Sequence, residues 1–205
     1  MNRGMVKRAS VAAVGGAMLA GVAGAAFAQD QVGSGSDVDV NVAIEDLDEG
    51  VLAMSVDGTT ATLVEDGSTG TVRQFTGDLP TVTVTDTRSA DEIPDGAFWW
   101  VEGTASSFTG DAGQDPIGAE NLGWSPTLAD DGSGAVAVGP DVAPALDTEA
   151  DPNNVGLQGR ELLAMALTSD EAIGTWQAGA ELTLQVPADT EPGDYTSTIT
   201  LSLFE

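Results

Sequence analysis

Between Leu182 and Leu203 the chain alternates apolar and polar residues with a period of two, and a strand is the element that such a period fits. Leu182, Leu184 and Val186 alternate with Thr183 and Gln185, and Tyr195, Ser197, Ile199, Leu201 and Leu203 alternate with Thr196, Thr198, Thr200 and Ser202. Side chains two apart share one face of a strand, so each run reads as a half-buried strand. The Pro/Gly-containing loop VPADTEPGD between them predicts that the two pair as a long antiparallel hairpin.

The same period recurs upstream. Val38, Val40, Val42 and Ile44 share one face over residues 37–45, and Leu52, Met54 and Val56 share another. Asp57-Gly58 predicts a hairpin turn into Thr60 to Val64. Pro80 to Arg88 places Val82, Val84, Asp86 and Arg88 on one face and Thr81, Thr83, Thr85 and Thr87 on the other. Phe98 to Val101 forms an aromatic strand core, and the Gly, Pro and Asp content from Asp111 to Asn154 predicts short strands on long loops. Two stretches hint at helix. Ala143 to Ala150 does so weakly, and Arg160 to Leu167 leaves a helix and a buried strand equally open. Many short strands with almost no amphipathic helix predict an all-β fold: an antiparallel β-sandwich, Greek-key or immunoglobulin-like, with long acidic loops.

The N-terminus predicts export. Arg3, Lys7 and Arg8 precede an apolar run from Ala9 to Ala26, and Ala26-Phe27-Ala28 offers small residues at a cleavage site. We expect residues 1–28 to be a signal peptide, 29–36 a flexible leader and 37–205 a single β-sandwich domain. Leu201-Ser202-Leu203-Phe204-Glu205 carries no sorting motif or apolar tail, so attachment to a surface is expected to be non-covalent. No membrane insertion is expected after the signal is removed.

Charge and missing residue types narrow the chemistry. Beyond residue 28 the 33 acids face only Arg73, Arg88 and Arg160, a formal charge of −30 with no lysine. That field repels nucleic acid and anionic lipid headgroups, so neither is an expected partner. The chain has no cysteine and no histidine, which removes disulfide staples and Ser-His-Asp, Cys-His and zinc-histidine chemistry. Catalysis would have to use carboxylates, hydroxyls and a few arginines, and a pair of carboxylates in a cleft is what a glycoside hydrolase needs. Most of the acids must be surface charges, so a non-enzymatic role is the leading expectation. An extracellular carboxylate-dependent carbohydrate-active enzyme is one alternative, and an acidic structural or assembly subunit is another.

No cofactor is expected. Residues 37–48 superficially match the opening of a calcium loop, but Val42 stands where the tight turn needs glycine. Weak calcium binding is left to acidic loops, Asp130-Asp131-Gly132-Ser133-Gly134 and the group Asp147, Glu149 and Asp151. Asp86 and Arg88 share the face that Val82 and Val84 bury, where unpaired charges are costly, so they are expected to pair and hold their strand. Trp99, Trp100, Trp124 and Trp176 carry most of the large aromatic surface. Adjacent Trp99 and Trp100 must face opposite sides of a strand, leaving one free to stack on a sugar or anchor a partner.

Taken in order, these segments resemble a known family. Val82-Thr83-Val84-Thr85-Asp86-Thr87-Arg88, then Trp99-Trp100-Val101, then Ser107-Phe108-Thr109-Gly110, and finally a closing hairpin of Ala180 to Pro187 and Gly193 to Leu203, are similar to the WxL domain of Gram-positive surface proteins. The resemblance spans residues 80–205. Val101 stands where the first W-x-L has leucine, and Leu201-Ser202-Leu203 stands where the second is expected. It implies a secreted, non-covalently cell-wall-associated protein that binds cell-wall polymer, peptidoglycan, or a partner surface protein. It places Trp99, Trp100, Val101 and Trp124 near the contact, and Asp86, Arg88 and Tyr195 as supports.

Overall fold

The computed structural model describes residues 49–129, 134–150 and 152–205, and these belong to one compact unit, Glu45–Glu205. The segments expected to form a signal peptide (1–28), a leader (29–36) and a strand (37–45), together with Asp130-Asp131-Gly132-Ser133 and Asp151, lie outside the described residues. The described chain is an antiparallel β-sandwich whose helical segments are single 3₁₀ turns.

The first sheet contains β1 (Leu52–Val56), β2 (Val64–Glu65), β3 (Val72–Asp78), β4 (Val82–Asp86), β7 (Leu122–Leu128) and β10 (Gly174–Pro187). β10 is its spine. Its first residues, Gly174 to Ala178, pair with β4, and Glu181 to Pro187 pair with β3. Leu79, between β3 and β4, donates its N–H to the Ala180 carbonyl at 2.9 Å. β7 pairs with Ala178 to Leu184, overlapping the β3 stretch and so occupying the opposite edge. Fourteen residues of period two let one strand serve three partners.

The second sheet contains β5 (Trp99–Ala105), β8 (Val136–Val138), β9 (Glu161–Ala166) and β12 (Ile199–Phe204), in the order β12-β5-β9-β8. β6 (Thr109–Gly110) and β11 (Tyr195–Thr196) form a separate short pair. Inner faces of both sheets share one core: Val82 and Val84 from β4, Trp99 and Val101 from β5, Trp124 from β7, Leu163 from β9, Leu182 and Leu184 from β10. Because no disulfide helps, burial of this apolar surface carries the fold.

Three local expectations are corrected. The closing segment is not a hairpin, since β10 lies in the first sheet and β12 pairs with β5 in the second. Alternation reports that each strand has a buried face, but not whether two successive strands bury it from the same sheet. Asp57-Gly58 likewise does not join paired strands: β1 pairs with β4 and β2 with β3. Arg160 to Leu167 resolves to strand, and the 143–150 stretch supplies only a 3₁₀ turn at Thr148–Ala150.

Gly103 shows how closely the sheets approach. Its place on β5 faces inward, and a Cβ there would lie 2.7 Å from the Trp124 ring. The indole sits where any side chain on Gly103 would have to go. Gly103→Val is therefore expected to destabilise the domain by about 1–3 kcal/mol, the usual cost of overpacking. A lowered urea midpoint checks this; an unchanged midpoint would show that the sheets separate freely.

Across β2 and β3, the carboxylate of Glu65 takes two hydrogen bonds from Arg73, at 3.0 and 2.8 Å. Those bonds, and a third from the Ser68 hydroxyl, hold the Glu65 carboxyl down to about 2 from 4.5. Its folded value is depressed, so the contribution is complete above the unfolded value and disappears as pH falls from about 4.5 to 2. A carboxyl-carbon NMR titration should give Glu65 a midpoint near 2; an ordinary midpoint near 4.5 would mean the clasp does not persist in solution.

Candidate functional site

The alternation of β5 sorts its residues by destination. Trp99, Val101 and Gly103 face the core, whereas Trp100 and Glu102 face outward and are half-buried. Trp99 and Val101 are 0% and 1% exposed, and Trp124 is 1% exposed. The indole N–H groups of Trp99 and Trp124 are buried without an acceptor. These two rings fill volume. Of the four residues expected near a contact, only Trp100 reaches the surface; the other three are core.

Trp100 does not stand alone. Phe98, two residues earlier on the same face, stacks on it with ring centres 5.3 Å apart and planes 23° apart. On the other side Phe204 stacks at 5.3 Å and 19°. The register explains this second contact, because β12 pairs Phe204 directly opposite Trp100. The Trp100 indole donates to Glu102 at 3.4 Å, and Arg160 meets Glu102 at 3.0 Å. The Arg160 guanidinium also lies 5.7 Å from the Phe204 ring centre. The result is a row of three rings on the outer face of the second sheet, bordered by one cation and one carboxylate. Phe98, at 44% exposed, is its open end.

Phe204 is held in register by the charges at the end of β4. Asp86, 1% exposed, accepts from Arg88 Nε at 2.9 Å and Nη2 at 2.7 Å, and from the Arg88 backbone N–H at 3.1 Å. The other side of the same guanidinium binds Glu205, Nη1 at 2.9 Å and Nη2 at 2.7 Å. These hydrogen bonds, first those to Asp86 and then those to Glu205, raise the Arg88 value above its ordinary range, so the cation is permanent. Glu205 is the residue next to Phe204. The ion pair thus ties the first sheet to the strand end that carries the third ring. Tyr195 acts elsewhere: its hydroxyl donates to the Glu191 carbonyl at 2.8 Å and closes the loop before β11.

The 99–101 and 201–203 segments lie side by side. Val101 is paired with Leu203 and Gly103 with Leu201, so Trp99-Trp100-Val101 and Leu201-Ser202-Leu203 occupy neighbouring strands. Their first and third residues turn toward the core, which leaves the middle ones, Trp100 and Ser202, on the outer face. Away from the row, a cleft of about 1050 Å³ is lined by Met54, Leu63, Phe75, Leu184, Ile199 and Leu201. Glu191 and Asp194, both exposed, stand among its lining residues. Among the described residues no group of three acids gathers as a metal site, and no helix is long and apolar enough to cross a membrane.

Sequence reasoning missed Phe98, Phe204, Glu102 and Arg160. Phe98 was within reach, since it is two residues from Trp100 and shares its face. Phe204 needed the β5–β12 register, and Arg160 needed the fold. No protein-family model matches the chain, nor does any curated protein or solved structure.

Arg88→Ala is expected to cost about 3–5 kcal/mol of stability by leaving the Asp86 carboxylate buried and unpaired. Asp86→Ala with Arg88→Ala should cost less than the two single changes added together. Denaturant midpoints of the three variants check this; strict additivity would mean the pair is not coupled.

Proposed function

We propose that this protein is a non-enzymatic, secreted cell-surface module of WxL-like character that binds cell-wall polymer through the Phe98–Trp100–Phe204 row. The single observation that carries this reading is the row itself. Elsewhere the exposed face of the strands is mainly threonine, serine and acids, whereas here three rings gather outside the core with an arginine beside them. Aromatic rings with an arginine are the side chains that dominate binding surfaces, and ring edges and faces are what pyranose C–H groups pack on.

Charge selects among wall polymers. A formal −30 repels polyphosphate chains at low salt, so a neutral or zwitterionic polymer such as peptidoglycan is the favoured partner. Of the expected contact residues Trp99, Trp100, Val101 and Trp124, this reading uses the outward Trp100. The carboxylate-hydrolase alternative draws less support: Asp86, the buried acid among the described residues, spends both its oxygens on Arg88.

Mature protein is expected to co-sediment with purified peptidoglycan sacculi at low and at high salt, because ring contacts survive screening. Trp100→Ala should lose about 2 kcal/mol of binding, roughly thirtyfold, with only a modestly lowered unfolding midpoint. Protein that stays in the supernatant at both salt concentrations refutes wall binding.

A further inference from the structure

The described residues hold three arginines, and the fold treats them differently. Arg73 is clasped by both oxygens of Glu65, and Arg88 is shared between Asp86 and Glu205. Arg160 touches one carboxylate oxygen, that of Glu102 at 3.0 Å, and its side chain is 72% exposed. Its guanidinium also stands over Phe204, as that of Arg73 stands over Phe75, but Arg160 is the more open of the two, at 72% against 35% side-chain exposure.

A guanidinium fork matches a carboxylate with two parallel hydrogen bonds, and a ring beside it orients the plane of the fork. The surrounding field sets the rest of the ligand. A densely anionic polymer meets repulsion from the acidic exterior, whereas a polymer that alternates carboxylates with ammonium groups does not. Glu102 borders the row on the same sheet and would receive the ammonium charge.

The geometry points to Arg160 as the specificity-determining residue of the site: its fork takes the carboxylate of a zwitterionic sugar-peptide polymer while Trp100 and Phe98 take the apolar edge of the same repeat. This inference rests on the wall-polymer reading and adds the chemical group that is recognised. Arg160 is exposed, so replacing it leaves the core intact.

The test uses mature protein and peptidoglycan sacculi, either native or with their carboxylates converted to methylamides by a carbodiimide and methylamine. Arg160→Gln should bind native sacculi about tenfold more weakly than the unsubstituted protein, the scale of one charge-assisted hydrogen-bonded contact. Arg160→Lys, which keeps the charge but loses the fork, should fall between them. On amidated sacculi the unsubstituted protein and Arg160→Gln should bind equally. If Arg160→Gln matches the unsubstituted protein on native sacculi while Trp100→Ala loses binding, the inference is overturned and the wall-polymer reading stands. If Arg160→Gln weakens but amidation changes nothing, Arg160 reads some other group and the inference is again overturned. If the unsubstituted protein binds neither preparation, both fall.

Discussion

The ion network of Asp86, Arg88 and Glu205 is the constraint on which the arrangement of the second sheet's outer face depends. It joins the last residue of β4 in one sheet to the residue after β12 in the other, across a core with no covalent link. Burying a carboxylate is expensive unless its partner is close and its lone pairs are filled, and here three donors from Arg88 fill them. Exchanging such a network for apolar residues is often harmless to stability, so its value lies in register. It fixes where β12 ends and hence where Phe204 stands relative to Trp100.

That fixing is what turns three ordinary rings into one surface. Cross-strand aromatic neighbours stabilise a sheet modestly by themselves, and an isolated exposed tryptophan explains little. The row gains its character from what surrounds it, a strongly acidic exterior in which cations are scarce and two of the three described arginines are fully committed. Electrostatics and packing here act at different ranges: the net charge sets the far field, and the rings and the exposed guanidinium set the local surface.

Much of the architecture was legible in the residues, and the places where it was not share a cause. Period-two runs such as Val82 to Asp86 and Leu182 to Val186 announce buried faces without any knowledge of the fold, and the Asp86–Arg88 pairing followed from both sharing such a face. Arg160 to Leu167 stayed ambiguous because β9 carries a bulge: Val101 pairs with Ala164 but Glu102 with Leu162, so Leu163 and Ala164 are both buried in succession. One inserted residue breaks the period and makes a strand of good helix formers look like neither element. The site was half legible for a related reason. Which of two adjacent tryptophans faces out depends on the phase of the strand, and Phe204 and Arg160 join the row only through pairings that connect residues about a hundred and about sixty positions apart.

The long spine strand has a consequence for how the chain acquires its shape. β10 begins at Gly174 and is the element against which β3, β4 and β7 all form hydrogen bonds. Three strands made early in synthesis therefore wait for one made late. Until most of the chain exists, the first sheet has edges but no centre, and closing it requires contacts across about a hundred residues at once. Folding governed by such distant pairings is slow and cooperative. A chain that finishes this way can form the β1–β4 and β2–β3 pairs early, but it joins them into one sheet only when β10 arrives.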